Sequence, residues 1–177
     1  MQTSKLLRAC VATALVLAAC AGAAAAYRAR WRGATAQELK GVVPARAPVN
    51  KENIETELRT ASGVTDGRGR FIAGVVMITA GYSAEGKYSH YLLTQVPLRV
   101  GDFQLAPGQY VFGYRRTGDE TIRVSFYRAA NGEPVGETDA HRNRKSSMVR
   151  SLLINPPVGG KANMQVGRFI FEYRVAE

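Results

Sequence analysis

Glu137, Asp139 and His141 are the residues whose types and spacing come closest to chemistry. They stand at i, i+2 and i+4, so an extended strand places all three on one face and turns Thr138 and Ala140 to the other. Two carboxylates and an imidazole so arranged can hold a divalent metal or orient a general base. The same trio also reads as a plain solvated strand face beside a basic loop. That loop, His141-Arg142-Asn143-Arg144-Lys145, is the densest charge run in the chain. Arg142, Arg144 and Lys145 suit the phosphates of lipid headgroups, an anionic glycolipid or an acidic envelope protein. As a solvated inter-strand loop they need no partner. His90 shares a strand face with Tyr88 and Leu92, with Tyr82 and Tyr91 close in sequence. Such a hairpin can stack on sugar rings or a peptide, or simply pack its aromatics across strands.

Other chemistries find no residues to carry them. There is no G-x-S-x-G elbow and no local Ser/His/Asp signature for nucleophilic catalysis. There is no H-E-x-x-H or C-x-x-C spacing for zinc. No cofactor is expected. The chain has 177 residues, 24 Lys+Arg against 14 Asp+Glu, and a formal net charge of +10. So basic a balance invites nucleic acid, but no recognised nucleic-acid-binding motif is present, and the N-terminus points to export.

Lys5 and Arg8 precede an uncharged stretch from Ala9 to Ala19, the layout of a secretory signal peptide. Leu17-Ala18-Ala19-Cys20 resembles the bacterial lipobox. The resemblance implies removal of residues 1–19, acylation of Cys20 and attachment to a membrane. With Ala21 following the cysteine, it implies the outer membrane. Two alternatives stay open. Cleavage after Ala24-Ala25-Ala26 would remove residues 1–26 and leave a soluble exported protein. An uncleaved span would leave a single-pass anchor, with Arg28, Arg30 and Arg32 on its C-terminal flank. Neither export route leaves a cysteine pair, so stability must come from the core.

Residues 20–49 read as a tether without sustained period. Arg28, Arg30, Trp31 and Arg32 within it suit a membrane interface, where rings sit at headgroup level and cations meet phosphate. Residues 50–70 read as a helix and a turn leading into the domain. Asn50 is a good N-cap, Ile54, Leu58 and Ala61 make an apolar stripe, Glu55 and Arg59 can pair, and Gly63 suits a helix end.

From Phe71 the period is two and the punctuation is regular. Phe71 to Thr79 is a nearly continuous apolar strand, and Tyr88 to Gln95 returns. Two short strands flank Gly101-Asp102. Pro107-Gly108 turns into Tyr110 to Arg115. Thr121 to Arg128 follows, with Ile122, Val124 and Phe126 facing inward. Asn131-Gly132 is a hairpin signal leading to Val135 to His141. Met148 to Ile154 comes next. A single long strand, Met164 to Val175, closes the chain with Phe169, Phe171, Tyr173 and Val175 on one face. About eight strands at 8–12-residue spacing predict a mainly β protein. The expected form over residues 71–177 is one antiparallel β-sandwich of about seven to eight strands, with one short N-terminal helix. A small β-barrel is the alternative.

Leu105-Ala106-Pro107-Gly108-Gln109-Tyr110-Val111-Phe112 is similar to stretches in transthyretin-like and carboxypeptidase-regulatory-like modules. That resemblance implies an exported sandwich that binds or accompanies other proteins, and it brings no functional residue with it. The leading expectation is therefore a non-catalytic cell-envelope binding or structural module, periplasmic or anchored to the outer membrane. The alternatives are a metal-dependent enzyme on the Glu137/Asp139/His141 face and a small-ligand carrier with an open barrel interior.

Overall fold

The computed structural model describes residues 31–84 and 87–176. The signal segment, Cys20, Arg28 and Arg30 lie outside the described residues. The strands are β1 (Arg32–Gly33), β2 (Arg46–Val49), β3 (Glu52–Thr65), β4 (Phe71–Met77), β5 (His90–Thr94), β6 (Leu98–Val100) and β7 (Phe103–Leu105). They continue as β8 (Gly108–Arg116), β9 (Thr121–Arg128), β10 (Pro134–Arg142), β11 (Arg150–Ile154), β12 (Lys161–Gly167) and β13 (Phe169–Val175). One helix, α1 (Ala36–Val42), precedes β2.

The sheet runs β1-β3-β4-β5-β8-β9-β10-β13-β12-β11, and every pairing is antiparallel. β2 pairs with β3, and the β6–β7 hairpin joins through β6 to β13. The far strand β11 comes round to meet β3 and β5. The Ile154 N–H donates to Ser62 Oγ at 2.9 Å, and His90 Nε2 lies 3.1 Å from the Ser151 carbonyl oxygen. Gly74 makes this approach possible. A Cβ there would stand 2.9 Å from both Leu152 Cδ2 and the Tyr91 carbonyl oxygen. The sheet thus coils nearly into a barrel, closed by side-chain contacts instead of a ladder. The expected two-sheet sandwich is replaced by this single coiled sheet, and the barrel alternative fits.

Alternation assigns two buried layers. Inward go Ile72, Leu92, Tyr110, Phe112, Ile122, Val124, Phe126, Phe171 and Tyr173, each at most 3% exposed. Five aromatic rings, of Tyr110, Phe112, Phe126, Phe171 and Tyr173, pack into the interior. Outward from β4, β5 and β8 point Ala73, Val75, Met77, Tyr91 and Val111. These are buried as well, because Leu39 and Val43 of the helical segment and Ala47, Val49 and Ile54 of the β2–β3 hairpin cover them. Burial on both faces explains why Phe71 to Met77 is an unbroken apolar run.

Residues 50–63 are not a helix. They form the Asn50-Lys51 turn and most of the 14-residue β3. Asn50 (φ 46°) and Lys51 (φ 73°) both take the left-handed conformation that a two-residue hairpin requires. Asparagine serves turns and helix N-caps alike, which is how the sequence misleads. The Ile54/Leu58/Ala61 stripe gives way to pairing with β2 and β4, and Glu55 meets Arg46 across the hairpin at 2.9 Å instead of Arg59. Gly63 sits within the strand, where a Cβ would come within 2.9 Å of Leu39.

The helix lies in the stretch read as tether. Thr35 caps it through a capping box with Glu38, and Leu39 anchors it. Residues 31–49 therefore belong to the folded unit, which begins at Trp31 and not at 71. At the other end of β3, buried Asp66 accepts from the Arg68 and Arg70 N–H groups and from Arg70 Nε at 2.6 Å. The expected last strand is two strands, folded back at Gly167-Arg168, where Gly167 takes φ 61°. Phe169, Phe171, Tyr173 and Val175 still share the inward side.

Candidate functional site: a polar cleft where two strands part

β10 is paired with β9 along nearly its whole length but meets β13 only at His141–Ile170 and Arg142–Phe169. Beyond that point β13 turns to β6, pairing Tyr173 with Val100. The β6–β7 hairpin is wedged into the gap. The Phe103 ring lies on Gly136, where any Cβ would collide with it. The Gly101 turn (φ 53°) packs on Thr138, 3.0 Å from where a Cβ would stand to Thr138 Oγ1. A cleft of about 940 Å³ opens at the fork.

Its walls come from five places. β10 brings Asp139, His141 and Arg142, the loop after it brings Asn143, Arg144 and Lys145, and the β6–β7 turn brings Gly101. β13 brings Ile170 and Glu172, and the β11–β12 hairpin brings Asn155, Asn163 and Gln165. The structure thus brings Asp139 and His141 into one cleft with the basic loop, while Glu137 does not line it.

The carboxylates are already engaged. Arg123 of β9 stands opposite Asp139, with Nε 2.8 Å and a terminal nitrogen 3.1 Å from the two carboxylate oxygens. Another terminal nitrogen lies 3.8 Å from Glu137, which also accepts from Ser125 Oγ at 2.6 Å. The Arg123 hydrogen bond holds the Asp139 carboxyl below its ordinary range, and the charges of Arg123, His141 and Arg115 act in the same direction. Glu137, Asp139 and His141 do share one face. Among the described residues, however, no group of three or more His, Cys, Asp or Glu side chains is placed to hold a metal ion.

The basic loop is partly tied down. Glu120 of the β8–β9 turn takes Arg142 at 3.3 Å and Arg144 at 3.3 Å, while Lys145 has no ion pair among the described residues. Asn143 Oδ1 accepts the Lys145 N–H at 3.1 Å and shapes the turn. Gln165 is buried under this loop and donates to the carbonyls of Met148 and Gly167 at 2.8 and 2.9 Å. Asn155 donates to Asn163 at 2.8 Å. These amides escaped the sequence reading. The final hairpin read as one strand, so nothing aligned Asn163 and Gln165 with the loop.

The remaining candidates lie elsewhere. Trp31 packs against the barrel core, and Arg32 pairs with Glu38 at 2.7 Å with its side chain half exposed. Tyr88, Tyr91 and Tyr82 pack in the outer layer, with Tyr88 and Tyr127 ring centroids 5.1 Å apart. His90 points inward instead, stacked on Phe112 at 4.6 Å and 8°. Its Nε2–H donates to Ser151 and its Nδ1 accepts from Ser89 Oγ at 2.8 Å, which fixes the neutral tautomer. Burial pushes its pKa down to about 4, against the opposing pull of the Ser151 carbonyl.

Compared with known proteins, the chain matches no family model, no curated protein and no solved structure. Among the described residues no helix is long and apolar enough to cross a membrane.

Proposed function

We propose that this chain is a non-catalytic binding module of the bacterial cell envelope, exported and tethered through an acylated Cys20. Its ligand is the anionic, hydroxyl-bearing headgroup of an envelope glycolipid, taken by the cleft between β10 and β13. One observation carries the reading: Arg142, Arg144 and Lys145 face the same cleft as Asn143, Asn155 and Asn163. Guanidinium and ammonium groups suit phosphate or carboxylate, and Arg presents a planar fork to it. Side-chain amides donate and accept, which is what sugar hydroxyls need. The Glu120 pairs leave room for exchange. Both are exposed pairs, of the kind that contribute little and yield to a better anion.

Calorimetric titration of the protein with a phosphorylated glucosamine disaccharide tests this. Saturable binding that weakens on Arg144→Glu/Lys145→Glu supports it, and absence of binding removes it. Mass spectrometry of the native N-terminus tests the tether. An acylated Cys20 is expected, and a mature chain starting at Tyr27 would replace the anchor with a soluble exported form.

A further inference from the structure

One end of the barrel is densely basic. Antiparallel order along the sheet sends alternate connections to the same end. This end gathers the β8–β9 turn, the β10–β11 loop and the Gly167-Arg168 turn, beside the β4–β5 connection. The end of β8 brings Arg115 and Arg116, the last turn Arg168, and the end of β10, the loop after it and the start of β11 bring Arg142, Arg144, Lys145 and Arg150, all exposed. Only Asp119 and Glu120 oppose these seven in the same segments. Seven basic against two acidic residues leave these segments with a net charge of +5.

Exposed apolar side chains sit among those cations. Tyr114, Met148 and Val149 are 51%, 54% and 57% exposed. They surround one mouth of the barrel. The Tyr114 ring lies 6.2 Å from that of His90, and His90 bonds the Ser151 carbonyl two residues after Val149. Each apolar tip has basic shoulders: Tyr114 precedes Arg115 and Arg116, and Met148-Val149 lies between Lys145 and Arg150.

We propose that this end docks on a lipid surface rich in anionic headgroups. Tyr114, Met148 and Val149 enter the headgroup layer, and Arg115, Arg116, Arg150 and Arg168 meet its phosphates. Protein interfaces tend to shed charge from their centres, whereas a polyanionic bilayer satisfies many like charges at once while accepting apolar tips between them. The inference extends the glycolipid reading and rests on it only in placing the protein at a lipid surface. Arg32 takes no part in this rim: it pairs with Thr65, at the other end of the barrel.

Flotation of the full chain carrying Cys20→Ser, which takes no acyl anchor, with phosphatidylcholine vesicles, with and without phosphatidylglycerol, tests the docking. Phosphatidylglycerol is expected to raise the vesicle-bound fraction. Arg115→Glu/Arg116→Glu is expected to lower the partition coefficient on the anionic vesicles at least about tenfold, at roughly 1 kcal/mol per basic residue near the surface. Met148→Ser/Val149→Ser, at two exposed positions, is expected to fold normally and weaken partition in the same direction. Equal partition of both rim variants and the parent overturns the inference, as does a parent indifferent to phosphatidylglycerol. Loss of disaccharide binding with intact vesicle docking would remove the cleft reading alone.

Discussion

Arg123 and Asp139 face each other across β9 and β10 in a two-pronged contact, 2.8 and 3.1 Å from nitrogen to oxygen. That pair decides how the acidic face reads. Two carboxylates that would attract a cation in isolation are met by the guanidinium of the neighbouring strand. Arg123→Ala is therefore expected to move the Asp139 titration upward, read by carboxyl NMR shifts. The parent protein should show the same melting temperature with and without chelator. A chelator-dependent melt would contradict this pairing.

His90 predicts a pH dependence separate from the carboxylates. Its folded pKa of about 4 lies below the ordinary 6.5, so the unfolded chain takes up the proton first. Stability is then full above pH 6.5 and falls as pH drops towards 4. A shift of this size is worth on the order of 3 kcal/mol. Urea melts between pH 7 and 4.5 should show the decline before most carboxylates titrate, and His90→Gln should flatten it. A parent with constant stability over that window would contradict the burial of His90 against Phe112.

Lys51 holds a left-handed conformation that suits glycine, at φ 73° in the β2–β3 turn. Lys51→Gly is expected to stabilise the protein by about 1 kcal/mol, seen as a raised denaturation midpoint with unchanged slope. A helix over residues 50–63 would respond in the opposite sense, because glycine weakens a helix.

Gly136 lies beneath the Phe103 ring, which seats the β6–β7 hairpin in the fork beside the cleft. Gly136→Ala should cost roughly 1–3 kcal/mol through overpacking. It should also weaken ligand binding by shifting the Gly101 wall. Phe103→Leu combined with it should recover part of both losses.

The strand region was legible because its period and its turns agree. Ile122, Val124 and Phe126 face inward as alternation demands, and Asn131-Gly132 opens the β9–β10 hairpin. Residues 31–63 were not legible. Asn50 satisfies two different local rules, and only the packing of Ala47, Val49 and Ile54 onto Val75 and Val111 selects the turn. Tertiary burial overrides a helical stripe as short as Ile54, Leu58 and Ala61. The cleft was half legible. The loop of Arg142, Arg144 and Lys145 stands out by charge alone. Its meeting with Asn163 and Gln165 depends on the Gly167-Arg168 turn, whose hairpin geometry neither flanking run announces. The Arg123–Asp139 pair depends on register, which strand spacing alone does not supply.

The most direct measurement is calorimetric titration of the full chain with a phosphorylated glucosamine disaccharide, beside the Arg144→Glu/Lys145→Glu variant. The account predicts saturable one-site binding to the parent and at least about tenfold weaker binding to the variant, since losing charge-assisted hydrogen bonds costs about 1.5–3 kcal/mol each. Absence of heat with the parent, or equal affinity in both proteins, would contradict it.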